Sequence, residues 1–119
     1  MLVLIENKSY NESLVMRASC DITFDQLTLC YGNSGLEGMC YGQATIVGMS
    51  DSTRNHVNQF IGYEPFAYAT ESTLEAVLLR LIEDKDERNR IGSIGKKYVT
   101  TYHSDDIVAK KLVDIYSNL

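Results

Sequence analysis

Residues 21 to 48 read DITFDQLTLCYGNSGLEGMCYGQATIVG, and the order of their apolar, glycine-bearing and helix-forming stretches decides the fold class. Asp21 to Leu27 (DITFDQL) predicts a strand. A polar stretch follows from Cys30 to Gly35, then Leu36, Met39 and Cys40 at helical spacing, with Gly42 as the helix stop. Ala44 to Val47 predicts the next strand. Strand, loop, short helix and strand make a βαβ unit, so the two strands are expected to run parallel.

The same alternation extends in both directions. Leu2 to Ile5 predicts another short buried strand, and Ser9 to Ser19 a helix with Leu14, Val15 and Ala18 on its inner face and Ser9 and Glu12 as a capping box. Downstream, Asp51 to Phe60 reads as a short helix in preference to a surface excursion, and Phe66 to Ala69, after Pro65, as a fourth strand. Leu74, Val77, Leu78, Leu81 and Ile82 recur at helical spacing behind Ser72 and Glu75, a second capping box. Asp84 with Glu87 opens the next helix, whose inner face is Ile91, Ile94, Tyr98, Val99 and Tyr102. Gly92 and Gly95 lie inside it, each at a cost of about 1 kcal/mol relative to Ala that close packing usually offsets. Ser104 caps a last helix carrying Val108, Leu112 and Ile115. The expected fold is α/β, a Rossmann-like partial domain of about four parallel strands covered by helices, with a helical C-terminus, all 119 residues forming one domain.

Composition narrows the function classes. Sixteen acidic against eleven basic residues give a net charge of -5, which disfavours nucleic-acid and anionic-lipid partners. The longest apolar runs span about five residues, far short of the ~20 of a membrane helix, so neither a transmembrane segment nor a signal peptide is expected. Cys20, Cys30 and Cys40 are odd in number and evenly spaced, with His56 and His103 as the sole histidines. That pattern fits neither a disulfide framework nor a zinc site, and it places the chain in a reducing cytoplasm with no metal.

In an open parallel sheet ligands bind beyond the carboxyl ends of the strands. One such junction here is rich in glycine and polar residues: Tyr31, Gly32, Asn33, Ser34 and Gly35. The glycines permit close backbone approach, and first-turn amides form an anion site. The same residues also make an ordinary turn and cap. Glu37, early in the helix, suits either the vicinal diol of a ribose or the positive end of the helix dipole. Asp25 and Gln26 end the preceding strand at the same rim. No Walker motif, complete GxGxxG or hydrolytic triad is present.

With these residues in order, the stretch from Asp21 to Gly48 resembles the donor-binding half of group 1 glycosyltransferases of the GT-B fold. Leu36-Glu37-Gly38-Met39-Cys40-Tyr41-Gly42 is similar to the family's "LEAMA-x-G" helix, and Gln43-Ala44-Thr45-Ile46-Val47 to the "PVI" strand after it. Ser72 to Asp84, Arg88 to Lys97 and Ser104 to Tyr116 resemble its three closing helices. The resemblance implies that the loop amides hold the diphosphate of a nucleotide sugar, that Glu37 binds the ribose hydroxyls, that Gln26 and Tyr31 to Gly35 line the site, and that no metal or other cofactor is needed. Many retaining members carry a further Glu eight positions before the ribose-binding acid, where this chain has Leu29. The likeness starts at the third strand of such a donor domain. It therefore implies a partner, either a missing N-terminal half that brings the acceptor site and the basic phosphate clamp or a second copy of the chain. Two function classes stand at this point: the nucleotide-sugar-binding part of a glycosyltransferase, inactive alone, or a stand-alone non-catalytic module with a structural or oligomerisation role.

Overall fold

The computed structural model describes residues 4–119. Among them are six helices and three strands in the order α1 (Tyr10–Ala18), β1 (Ile22–Phe24), α2 (Asn33–Cys40), β2 (Ala44–Val47), α3 (Asp51–Ile61), β3 (Ala67–Tyr68), α4 (Leu74–Glu83), α5 (Lys85–Tyr102) and α6 (Asp105–Ser117). The strands form one parallel sheet in sequence order, with Ile22 opposite Ala44, Phe24 opposite Ile46 and Ile46 opposite Ala67. The fold class is α/β, but the described sheet has three strands instead of about four. The expected strand at Leu2 to Ile5 lies partly outside the described residues. Its described half, Leu4 and Ile5, has no regular structure, and Leu4 is 74% exposed.

The central strand shows why the sheet holds together. All four residues of β2 are buried. Val47 joins Met39 of α2, Ile61 of α3 and Tyr98 and Val99 of α5 in one cluster, while Ala44 and Ile46 join Val77 and Leu81 of α4 and Ile91 of α5 in the other. Side chains of alternate residues along a strand leave opposite faces, so a strand between two helical layers is mainly apolar, and the one polar side chain of β2, Thr45, donates its hydroxyl to the Gln43 carbonyl at 3.3 Å.

The glycines in α5 have the expected close neighbours. A Cβ at Gly92 would run into the Gly42 carbonyl, and one at Gly95 would lie 2.9 Å from the Pro65 carbonyl oxygen. The helix thus rests directly on the backbone that leads into β2 and β3. Gly42, at φ +75°, takes the left-handed turn that ends α2.

Capping accounts for several boundaries. Ser9 and Glu12 form the expected box on α1, and the Asp84 carboxylate accepts the Glu87 amide at 2.9 Å at the start of α5. Ser50 caps α3 by accepting from the Thr53 amide. The box expected of Ser72 and Glu75 is not made. Thr73 is the N-cap of α4, and its hydroxyl instead accepts from the Thr70 amide at 2.8 Å, closing the preceding turn.

Other departures concern which faces are covered. Val15 and Ala18 of α1 are exposed, as are Leu78 and Ile82 of α4 and Val108, Leu112 and Ile115 of α6. Helical periodicity identifies an apolar face but not the element that covers it, and α1 and α6 bury no residue fully. No described helix is long and apolar enough to cross a membrane.

Candidate functional site

The site is built where β1 ends and α2 begins. The Asp25 amide donates to the Ile46 carbonyl at 3.1 Å, which extends the parallel ladder by one bond and fixes the Asp25 carboxylate at the rim of the sheet. Helix α2 has Gly32 as its N-cap, a residue with no side chain to satisfy the first turn. Asp25 takes over part of that task, accepting the Gly32 amide at 2.6 Å. Its carboxylate also underlies the first turn closely enough that a Cβ at Gly35 would fall 2.8 Å from Oδ2, so the glycine there meets a need for space. One turn on, a Cβ at Gly38 would lie 2.8 Å from the Thr23 side chain, which is how α2 seats on β1.

Leu36 makes the first intrahelical bond, to the Gly32 carbonyl at 3.1 Å. The amides of Asn33, Ser34 and Gly35 have no hydrogen-bond partner among the described residues. They form the positive end of the α2 dipole, and Asn33 and Ser34 are exposed.

Helix α1 adds two residues. Arg17, in its last turn, donates from Nη2 to the Ser34 carbonyl at 2.7 Å and to Ser34 Oγ at 3.1 Å, and from Nη1 to Glu37 Oε2. The Tyr10 hydroxyl donates to Glu37 Oε1 at 2.9 Å. The hydrogen bond to Glu37, followed by the repulsion of its negative charge, holds the Tyr10 phenol above its ordinary range. Gln43 anchors the end of α1 to the sheet: its buried side-chain amide donates to the carbonyls of Arg17 and Cys20, and its oxygen accepts from the Thr23 hydroxyl.

Of the residues expected at the site, Gly32, Asn33, Ser34, Gly35 and Glu37 come together around the first turns of α2. The Gln26 side chain instead donates to the Cys30 carbonyl and braces the loop. Tyr31 turns its ring into an aromatic group, tilted against Phe66 at 6.1 Å and edge-on to Tyr98 at 5.8 Å, with its hydroxyl bonded to that of Tyr98. Burial raises the phenol pKa of both tyrosines. Leu29, at the position of the family's additional Glu, is 75% exposed.

Arg17 and Tyr10 carried no local signal, because they reach Glu37 across 20 and 27 residues of sequence. A cavity of about 310 Å³ is lined by residues of α3, α5 and α6 together with Tyr31 and His103. His103, the C-cap of α5, shares a 2.9 Å hydrogen bond between its Nε2 and the Tyr98 hydroxyl. All three cysteines are free, Cys40 being exposed and the other two half-buried. No cluster of metal-binding side chains occurs among the described residues. No family model matches this chain, and no curated protein or solved structure matches it.

Proposed function

We propose that this chain is the C-terminal, nucleotide-sugar-binding part of a cytoplasmic glycosyltransferase of the GT-B type, which moves a sugar from a nucleoside diphosphate to an acceptor glycan or lipid-linked sugar. The observation that carries the reading is the pairing, on the first two turns of α2, of three unpartnered amides with the Glu37 carboxylate. The amides of the exposed Asn33 and Ser34 suit the diphosphate, Gly35 being buried, and Glu37 suits the ribose diol. Arg17 adds a guanidinium beside Ser34, a cation for the leaving diphosphate from within the chain. Cleaving the bond between the anomeric carbon and the phosphate oxygen leaves charge on that diphosphate, and fixed donors in place before the reaction lower its cost. The acceptor needs a second wall to the cleft, supplied by an N-terminal half, so the chain alone transfers no sugar.

Titration with uridine, guanosine and adenosine diphosphates tests the binding step. One of them is expected to shift the amide resonances of residues 32 to 37. Glu37→Ala removes a charge-assisted hydrogen bond of about 1.5–3 kcal/mol, a loss of roughly tenfold or more in affinity. Equal affinities for the two proteins, or no shift with any of the three, overturn the assignment.

A second reading, a non-catalytic structural module, draws on how fully the junction satisfies itself. Both Glu37 oxygens have partners, and Asp25 already places a negative charge at the helix start. On that reading these bonds tie α1 to α2, and Glu37→Ala lowers stability with no ligand to lose.

A further inference from the structure

The cavity of about 310 Å³ that Tyr31 lines together with α3, α5 and α6 has a chemistry of its own. Its floor includes Ile61 and Tyr98, both buried. Phe60 at its rim is 68% exposed, a large apolar ring left in solvent, and it leans on Tyr102 at 5.9 Å with the planes 52° apart. The Lys111 ammonium stands 6.0 Å from the centre of the Tyr102 ring. The other ionisable groups in the lining are tyrosines and the histidines His56 and His103, and no carboxylate lines the cavity although the chain carries a net charge of -5. The wider groove where α4 meets α5 lacks this bias, since Arg80 and Lys85 there face Glu83, Asp84 and Asp86.

Ring geometry and volume limit what fits. The aromatic pairs around the cavity are tilted or edge-on, at 42° to 88°, so no parallel slot exists for a flat base to slide into. The volume is at the low end of the ~300–1,000 Å³ usual for ligand sites, suited to one ring with one substituent. Burial, and then the charge of Lys111, holds the His103 imidazole below its ordinary range, so near pH 7 it serves as a neutral hydrogen-bonding group.

We propose that this cavity binds a small single-ring compound carrying one phosphate or carboxylate, its ring against Phe60 and Tyr102 and its anion at Lys111. A ring needs apolar area with hydrogen-bonding groups at the edge, which Phe60, Tyr102, Tyr98 and His103 provide. The anion needs a cation with no competing carboxylate, which Lys111 provides. This inference stands independently of the nucleotide-sugar reading, because the ring and anion would be held by Phe60, Tyr102 and Lys111, none of which takes part at the first turns of α2.

The test uses the whole chain and two probes, phenyl phosphate and glucose 6-phosphate, which separate an aromatic from a sugar ring. Inorganic phosphate and glucose serve as half-ligands. At least one probe is expected to shift the side-chain resonances of His56, Tyr102 and His103 at concentrations where neither half-ligand does. Lys111→Met keeps the apolar stem and is expected to weaken that binding about tenfold, and Phe60→Ala to weaken it without removing the salt dependence. The proposal fails if neither probe binds, if phosphate alone binds as well as the ring compounds, or if Lys111→Met binds equally. It also fails if the shifts are confined to residues 32 to 37, an outcome that leaves the nucleotide site standing.

Discussion

Gly92→Ala sets two effects of known sign against each other. In an exposed helix the change would stabilise by about 1 kcal/mol, because Ala restricts the unfolded chain and favours the helix. In α5 the new methyl would enter the Gly42 carbonyl, and backbone cannot step aside as a side chain can. Gly42 ends α2 in a left-handed turn, and the next residue, Gln43, holds the carbonyls of Arg17 and Cys20. Relief therefore requires α5 to lift from the start of β2. Overpacking of this kind costs about 1–3 kcal/mol where side chains absorb it and more where backbone must move. Against the helix gain, a net loss of about 2 kcal/mol is expected. With an unfolding entropy near 2.1 cal/mol/K per residue, this lowers Tm by roughly 8 °C, and with m of about 2 kcal/mol/M it shifts the urea midpoint by about 1 M. Calorimetry and urea titration, with Ser93→Ala at an exposed neighbouring position as the control, measure the difference. A Gly92→Ala protein as stable as the parent would refute the claim that α5 rests on the backbone before β2.

Gln43→Leu keeps the volume but strands two carbonyls and the Thr23 hydroxyl, so a loss of about 2–3 kcal/mol is expected. Amide exchange should rise first in α1, and uniform exchange across the chain would count against this anchor. Stability should also fall as pH drops from 7 to 3. His103 has a folded pKa below 6.5, so the unfolded chain binds more protons, and its contribution is complete above 6.5 and lost below it as pH falls through the folded value. Glu64, lowered chiefly by its hydrogen bond from Arg54, acts the same way from 4.5 downward. Urea midpoints at pH 7.5, 6, 4.5 and 3 check both, and His103→Gln should flatten the upper leg alone.

The elements visible in the sequence are those with short-range causes. Ser9 with Glu12, Asp84 with Glu87 and the Gly42 stop act within a few residues, and Ala44 to Val47 can be read because both its faces are covered. Ser72 and Thr73 offered two adjacent hydroxyls for one cap, and composition could not choose between them. The exposure of Leu78, Ile82, Val108, Leu112 and Ile115 shows the other limit, since periodicity records an apolar face whether or not an element of this chain covers it. At the first turns of α2, the placement of Glu37 and the glycines together was legible from spacing. Arg17, Tyr10 and the capping role of Asp25 were not, because each depends on how α1 and β1 are brought beside α2.

That placement also decides what a ligand must do at α2. In the free chain Glu37 is bonded to Arg17 and Tyr10, and Arg17 also holds Ser34. A ribose diol would replace the single phenol donor of Tyr10 with two hydroxyl donors, a net gain of one charge-assisted bond to the Glu37 carboxylate, the bond that Glu37→Ala removes. The diphosphate differs. The amides of Asn33 and Ser34 have no protein partner to give up, and Arg17 is already oriented by Glu37, so its charge is added without the entropy of ordering a free side chain. Affinity on the proposed reading should therefore come mainly from the phosphates, and discrimination for the ribose from Glu37. The Asp25 carboxylate beneath the turn opposes an incoming anion, yet its bond to the Gly32 amide fixes the start of the helix. On the proposed reading, one acid thus shapes the cradle and limits its strength, a combination suited to releasing a nucleoside diphosphate after each transfer.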